Sequence, residues 1–172
     1  MTTVVLGPRP PELQALIDRR RALGLDGHDE VWDGVYVMAP FAHPHHGAVK
    51  AQLVEHLTPR ARAEGLVSGD SFNLGSRDDF RVPDAGWHRQ LPDTAYVATA
   101  ALVLEVLSPD DRTFDTLPFY AGHRVQELLV AVPVERRVRC WQLVDGAYVE
   151  QPGSALLGVS MARLAAEVAW PA

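Results

Sequence analysis

The stretch VPDAGWHRQLPDTAYVATAALVLEVLSPDD, residues 82 to 111, holds two carboxylates in settings that suit chemistry. Asp84 follows Pro83 in one strand-like run. Glu105 lies twenty-one residues later inside the apolar run Leu102-Val103-Leu104-Glu105-Val106-Leu107. An aspartate after proline in a turn ordinarily bonds its own backbone. A glutamate ionised within a buried strand is destabilising by several kcal/mol unless it is paired or bound to metal. An arginine partner would satisfy Glu105. So would a divalent cation shared with Asp84 on a neighbouring strand, because carboxylate oxygens, a backbone carbonyl and waters are what Mg²⁺ prefers. Such an ion lowers the pKa of a bound water and stabilises charge growing on a phosphate.

Lys50 is the only lysine in the chain, and His46 stands one turn before it on the same helical face. The cluster HPHHG (His43, His45 and His46) invites a transition-metal reading. It lacks a cysteine partner and a His-x₃-His pairing, so its histidines read as polar loop residues. His46 is then the start of a helix, where free N–H groups face phosphate. His88 and Arg89, just beyond PDAGW, are candidates to flank the same cleft. GDSFNLG lacks the strand-to-helix context of a phosphate loop, and no pattern around Ser108 marks a nucleophile.

The elements that must position these residues follow from periodicity. ELQALIDRRRALGL, with Leu13, Leu16 and Ile17 on one stripe after Pro8, Pro10 and Pro11, predicts a helix ending near Gly24. HDEVWDGVYVMAP predicts a hairpin turning at Asp33-Gly34. FAHPHHG reads as a loop, and the segment after it as a helix to about Thr58, with Val49, Leu53 and Leu57 aligned and a kink or a new turn at Pro59. FNLGSRDDFRVPDAGWH predicts two strands around residues 75–79, and AALVLEVLS a strand buried on both faces. A helix-like segment with Phe114, Leu117 and Tyr120 spaced by three, limited to about a turn before Pro118 unless Pro118 sits near its start, a central strand VQELLVAVP, a hairpin at Asp145-Gly146 and a last helix complete the chain. This order predicts an α/β sandwich with a partly antiparallel sheet covered by helices.

The 172 residues are read as one domain, 1–172, with its core at about 30–170. Apolar content of 47% and charged content of 22% are ordinary globular values. No apolar run approaches the roughly 18 residues of a membrane span, and the N-terminus does not read as a signal peptide. A lone Cys140 excludes an internal disulfide and fits a reducing compartment, so the expected location is the cytoplasm. The net charge of −6 argues against broad nucleic-acid binding. Because Lys50 is the single lysine among 16 basic residues, the others are arginines, the better phosphate fork, and a local basic groove stays open.

Taken together, RVPDAGW, LVLEVLSPDD, FYAGHRVQELLVAV and RRVRCWQLVDGAYV resemble the large bacterial Uma-two family of restriction-endonuclease-like proteins, within the PD-(D/E)XK nuclease superfamily. The similarity runs from EVWDGVYVMAP to ARLAAEVAW. It implies an α/β (α+β) fold: a restriction-endonuclease-like αβββαβ core, a mixed sheet flanked by helices, here with an N-terminal helix and hairpin extension. It implies Mg²⁺-dependent (or Mn²⁺-dependent) hydrolysis of DNA phosphodiesters, with a homodimer needed to cut both strands. By position, Asp84 is the proline-aspartate acid and Glu105 the acid of the E-x-K half-motif. The Val106 carbonyl is an added metal ligand, and His46 matches a histidine common at the start of the family's helix.

Two departures stand out. Leu107 occupies the lysine position of E-x-K, and DTLPFY puts Thr116 where the family's EKLPFY segment carries its migrated lysine. Losing a charge-stabilising donor of this sort typically lowers a rate by about 10²–10³. Lys50, or Arg112, is left as the substitute cation. The alternatives are a degenerate binding or assembly module on the same fold, or metal-assisted chemistry on a small substrate.

Overall fold

The structure is a computed structural model that describes residues 3–4, 10–39, 42–108 and 113–171. Arg112 and Pro8 lie outside the described residues. The chain runs β1 (Thr3–Val4), α1 (Pro11–Ala22), β2 (Glu30–Trp32), β3 (Val35–Met38), α2 (Pro44–Ala63) and β4 (Val67–Gly69). It continues through β5 (Asn73–Ser76), β6 (Asp79–Arg81), β7 (Ala85–His88), β8 (Tyr96–Val97) and β9 (Leu102–Val106). A 3₁₀ turn (Thr113–Thr116) leads into α3 (Leu117–Gly122), followed by β10 (Glu127–Val132), β11 (Arg137–Val144) and β12 (Ala147–Gln151). The short β13 (Gly153–Ser154), β14 (Val159–Ser160) and α4 (Met161–Glu167) end it.

Among the described residues the longer strands form two six-stranded sheets, ordered β1-β3-β2-β6-β5-β8 and β12-β11-β10-β9-β7-β4. In the second sheet β9 and β10 are parallel, joined through α3, while β4–β7 and β7–β9 are antiparallel. Counting α2, this sheet therefore follows the order α-β-β-β-α-β, with β5, β6 and β8 diverted into the first sheet. The expected hairpins form at Asp33-Gly34 and Asp145-Gly146, where all four residues take positive φ, the conformation that a two-residue turn demands.

Strands β9 and β10 read as continuous apolar runs because both faces of the sheet are covered. On one side lie Val49, Leu53, Leu57 and Ala61 of α2, with Leu164 of α4. On the other lie Tyr120 of α3 and Leu74 of β5. A third cluster, Ile17, Val31, Tyr36 and Phe80, seats α1 on the first sheet.

Two sequence expectations are corrected. α2 runs unbroken through Pro59, because the fully buried stripe Val49-Leu53-Leu57-Ala61 continues past it and the packing outweighs one lost helical bond. The supposed loop HPHHG is in fact the opening of α2. His43 is the N-cap, its ring accepting the His45 N–H at 3.2 Å, and Pro44 takes the first helical position. Among the described residues no helix is long and apolar enough to cross a membrane.

Candidate active site

The register between β7 and β9 places the two acids. Their ladder pairs Trp87 with Leu102, Gly86 with Val103 and Ala85 with Leu104. One step further, Asp84 stands opposite Glu105, on the same face of the sheet. The pairing is reciprocal: the Asp84 N–H donates to Glu105 Oε2 at 3.3 Å, and the Val106 N–H donates to Asp84 Oδ2 at 2.8 Å.

The remaining oxygens are also engaged. His46 in the first turn of α2 lies with Nε2 2.8 Å from Asp84 Oδ1 and Nδ1 3.1 Å from the Ser108 hydroxyl. An imidazole protonated at Nε2 satisfies both partners, donating to the carboxylate and accepting from the serine. The Tyr120 hydroxyl on α3 donates to Glu105 Oε1. Asp84 is 18% exposed and His46 12%, so the acid pair sits at a partly covered surface.

Two like charges this close, in a largely desolvated site, disfavour ionisation. Burial, and then the charge of Asp84, push the Glu105 carboxyl well above the usual carboxylate range, against the pull of the Tyr120 hydrogen bond. Burial and Glu105 together push the Tyr120 phenol up as well. Glu127, buried in β10, shows the contrast. Its oxygens accept the Ser154 hydroxyl and the Leu156 N–H at 2.9 Å, so it is satisfied as a latch for the segment before α4.

Among the described residues neither Asp84 nor Glu105 forms an ion pair with arginine or lysine. Nor do three or more His, Cys, Asp or Glu side chains among them form a ready-made metal cage. What the site offers is two adjacent carboxylates with mutual repulsion and hard oxygen donors. This set fits a Mg²⁺-type ion, which takes one or two carboxylates and completes its shell with water or substrate phosphate.

Lys50 approaches indirectly. Its ammonium bonds Asp70 at 2.7 Å and Ser71 Oγ at 3.3 Å, and the Ser71 hydroxyl donates to the Asp84 carbonyl at 3.2 Å. The ammonium holds the Asp70 carboxyl below its usual range. Thr116 is buried, and its hydroxyl donates to the Thr113 carbonyl at 2.6 Å.

His88 and Arg89 do not flank this cleft. His88 is buried four residues along β7, packed edge-on against Phe72 at 4.7 Å. Arg89 bonds Gln126 at 2.8 Å in a separate groove of about 780 Å³. A groove of about 820 Å³ is walled in part by Ser71, Phe72, Arg77, Val82 and Tyr96, and neither acid lines it. Sequence reasoning missed Tyr120 as a partner of Glu105, since it showed only as a helix position spaced by three from Leu117.

The acid pair thus sits at the end of a mixed, helix-covered sheet, and this fold has a match among solved structures. A crystal structure titled a "putative nuclease belonging to DUF820" from Anabaena variabilis superposes with a TM-score of 0.63 at 14% identity, covering 81% of this chain and 90% of that one. A search of curated proteins returns no match. The profile of the Uma2 family, described as "Putative restriction endonuclease", matches residues 14–169, and the chain belongs to that family.

Proposed function

We propose that the protein is a Mg²⁺-dependent DNA endonuclease, with Mn²⁺ able to substitute, whose catalysis is weakened by threonine at position 116. The observation that carries this reading is the reciprocal juxtaposition of Asp84 and Glu105, with neither ion-paired to arginine or lysine among the described residues. Asp84, Glu105 and the Val106 carbonyl would hold the ion, which when bound activates water and offsets charge on a phosphodiester. His46 orients Asp84 from one side while Ser71 grips its carbonyl from the other. Tyr120 fixes the Glu105 rotamer. Lys50, linked to Asp84 through Ser71, would act in place of the missing lysine. The lone Cys140 is buried, which suits the cytoplasm, and a homodimer would supply the two sites that a double-strand cut requires.

A second reading, a binding module that has lost its chemistry, is favoured by Thr116, whose hydroxyl is tied into its own turn. A plasmid-cleavage time course with Mg²⁺ or Mn²⁺ separates the two. The expected result is slow cleavage by wild type, none by Glu105→Ala, and faster cleavage by Thr116→Lys. Activity only in Thr116→Lys establishes the binding module. Silence from wild type and both variants eliminates DNA cleavage.

A further inference from the structure

Residues 82–84 cross from the first sheet to the second. β6 ends its pairing at Arg81 opposite Leu74, and β7 begins its own at Ala85 opposite Leu104. Among the described residues no strand ladder holds the crossing. Pro83 has no N–H, so the chain offers two amides there. The Asp84 N–H goes to Glu105. The Val82 N–H goes to Oε1 of Glu30, at 2.7 Å, across 52 residues of sequence.

Glu30 itself is engaged at both oxygens. Its Oε2 accepts from the Trp32 indole. The Arg81 guanidinium stacks on the Trp32 ring at 4.5 Å and on the Phe119 ring at 4.1 Å. Phe119 adjoins Tyr120, the donor to Glu105. Glu30 is also within electrostatic reach of the site, since its charge adds to the upward shift of Glu105.

We propose that Glu30 is a positioning residue for the acid pair: its hydrogen bond to the Val82 N–H sets the crossing segment so that Asp84 faces Glu105. The role rests on the metal-binding reading above. It predicts that reach and acceptor geometry at position 30 matter more than charge.

Two substitutions divide these properties. Glu30→Gln keeps the length and an acceptor for Val82 but removes the charge and sets its NH2, a donor, against the Trp32 indole N–H. Glu30→Asp keeps the charge but is one methylene too short. Titration calorimetry of Mn²⁺ into the metal-free chain, with wild type and Glu105→Ala alongside, reads the effect, and melting curves confirm that each variant is folded. The expected Kd for Glu30→Gln stays close to wild type. For Glu30→Asp it weakens by about 10–100-fold, as for other groups that orient metal ligands. Hydrogen exchange at the Val82 amide should stay slow in Glu30→Gln and accelerate in Glu30→Asp. Any outcome in which Glu30→Asp binds as well as or better than Glu30→Gln overturns the proposal. If wild type and Glu105→Ala bind Mn²⁺ alike, the metal reading itself has failed, and the role given to Glu30 falls with it.

Discussion

Asp84 and Glu105 face each other one step past the last rung between β7 and β9, and each carboxylate accepts a backbone N–H from the other's strand. Strand register brings the acids to opposing positions. The amide bonds then orient them, and their mutual repulsion is left standing. A site built this way is stable when a proton or a cation sits between the acids and strained when neither does.

The pH dependence of the metal-free protein follows from that strain. Burial and Asp84 raise the Glu105 carboxyl well above its usual value in the folded state. The folded chain therefore keeps a proton that the unfolded chain releases, and the contribution of Glu105 to stability falls as pH rises from the ordinary carboxylate range through the raised value. Glu105→Gln removes this term. Measured with a chelator at pH 8, the variant should melt a few degrees above wild type, about 2–4 °C for each kcal/mol regained. Adding Mn²⁺ should raise the wild-type melting temperature and leave the variant unmoved. Equal melting of the two metal-free proteins at pH 5 and at pH 8 would remove the strain from the account.

Tyr120→Phe isolates the hydroxyl on Glu105. The ring stays in the core, so the fold should persist, but the bond that favours the ionised carboxylate is gone. Glu105 then holds its proton to higher pH. Mn²⁺ affinity at neutral pH should drop by about tenfold, and the pH at which binding sets in should move upward. A binding-versus-pH titration checks both, and an unmoved profile would mean that Tyr120 only packs.

Asp29 makes the matching test for the frame around the site. It is 2% exposed and collects Nε and Nη2 of Arg20 at 2.8 and 2.7 Å, the Tyr36 hydroxyl at 2.8 Å and the Ala39 N–H at 2.9 Å. These bonds tie α1 to the β2–β3 hairpin that carries Glu30. Asp29→Ala should lower unfolding stability by about 3 kcal/mol in urea, with no change in Mn²⁺ affinity for the fraction that is folded.

The acids were readable from sequence because their signals are local: proline before Asp84, and an apolar run around Glu105 that forces the question of a partner. The hairpins were readable because Asp-Gly pairs have few other uses. Glu30 and Tyr120 were not, since each has an ordinary local reading and acquires its part only when the two sheets and α3 meet. The start of α2 was obscured because His43 and Pro44 read as loop residues, although a capping ring followed by proline is also how a helix begins. Pro59 misled for the opposite reason, a strong local rule overridden by a buried stripe. Arg89 was assigned to the cleft by nearness in sequence to Asp84, and β7 carries it to the other end of the sheet.

Gly86 links packing to the site in a form that a double mutant can test. A Cβ at this position would lie 2.3 Å from the Phe72 ring, which packs over the strand beside His88. Phe72 follows Ser71, the residue whose hydroxyl grips the Asp84 carbonyl and meets Lys50. Gly86→Ala should therefore destabilise the fold by about 1–3 kcal/mol through overpacking, and by displacing Phe72 it should also loosen the hold of Ser71 on Asp84, weakening Mn²⁺ binding. Phe72→Leu in the same chain opens the space, so the double mutant should recover part of both losses, a coupling expected only of residues in contact. Additive losses in the double mutant would show that Gly86 and Phe72 act separately, and that the route from this strand to Asp84 does not run through Ser71.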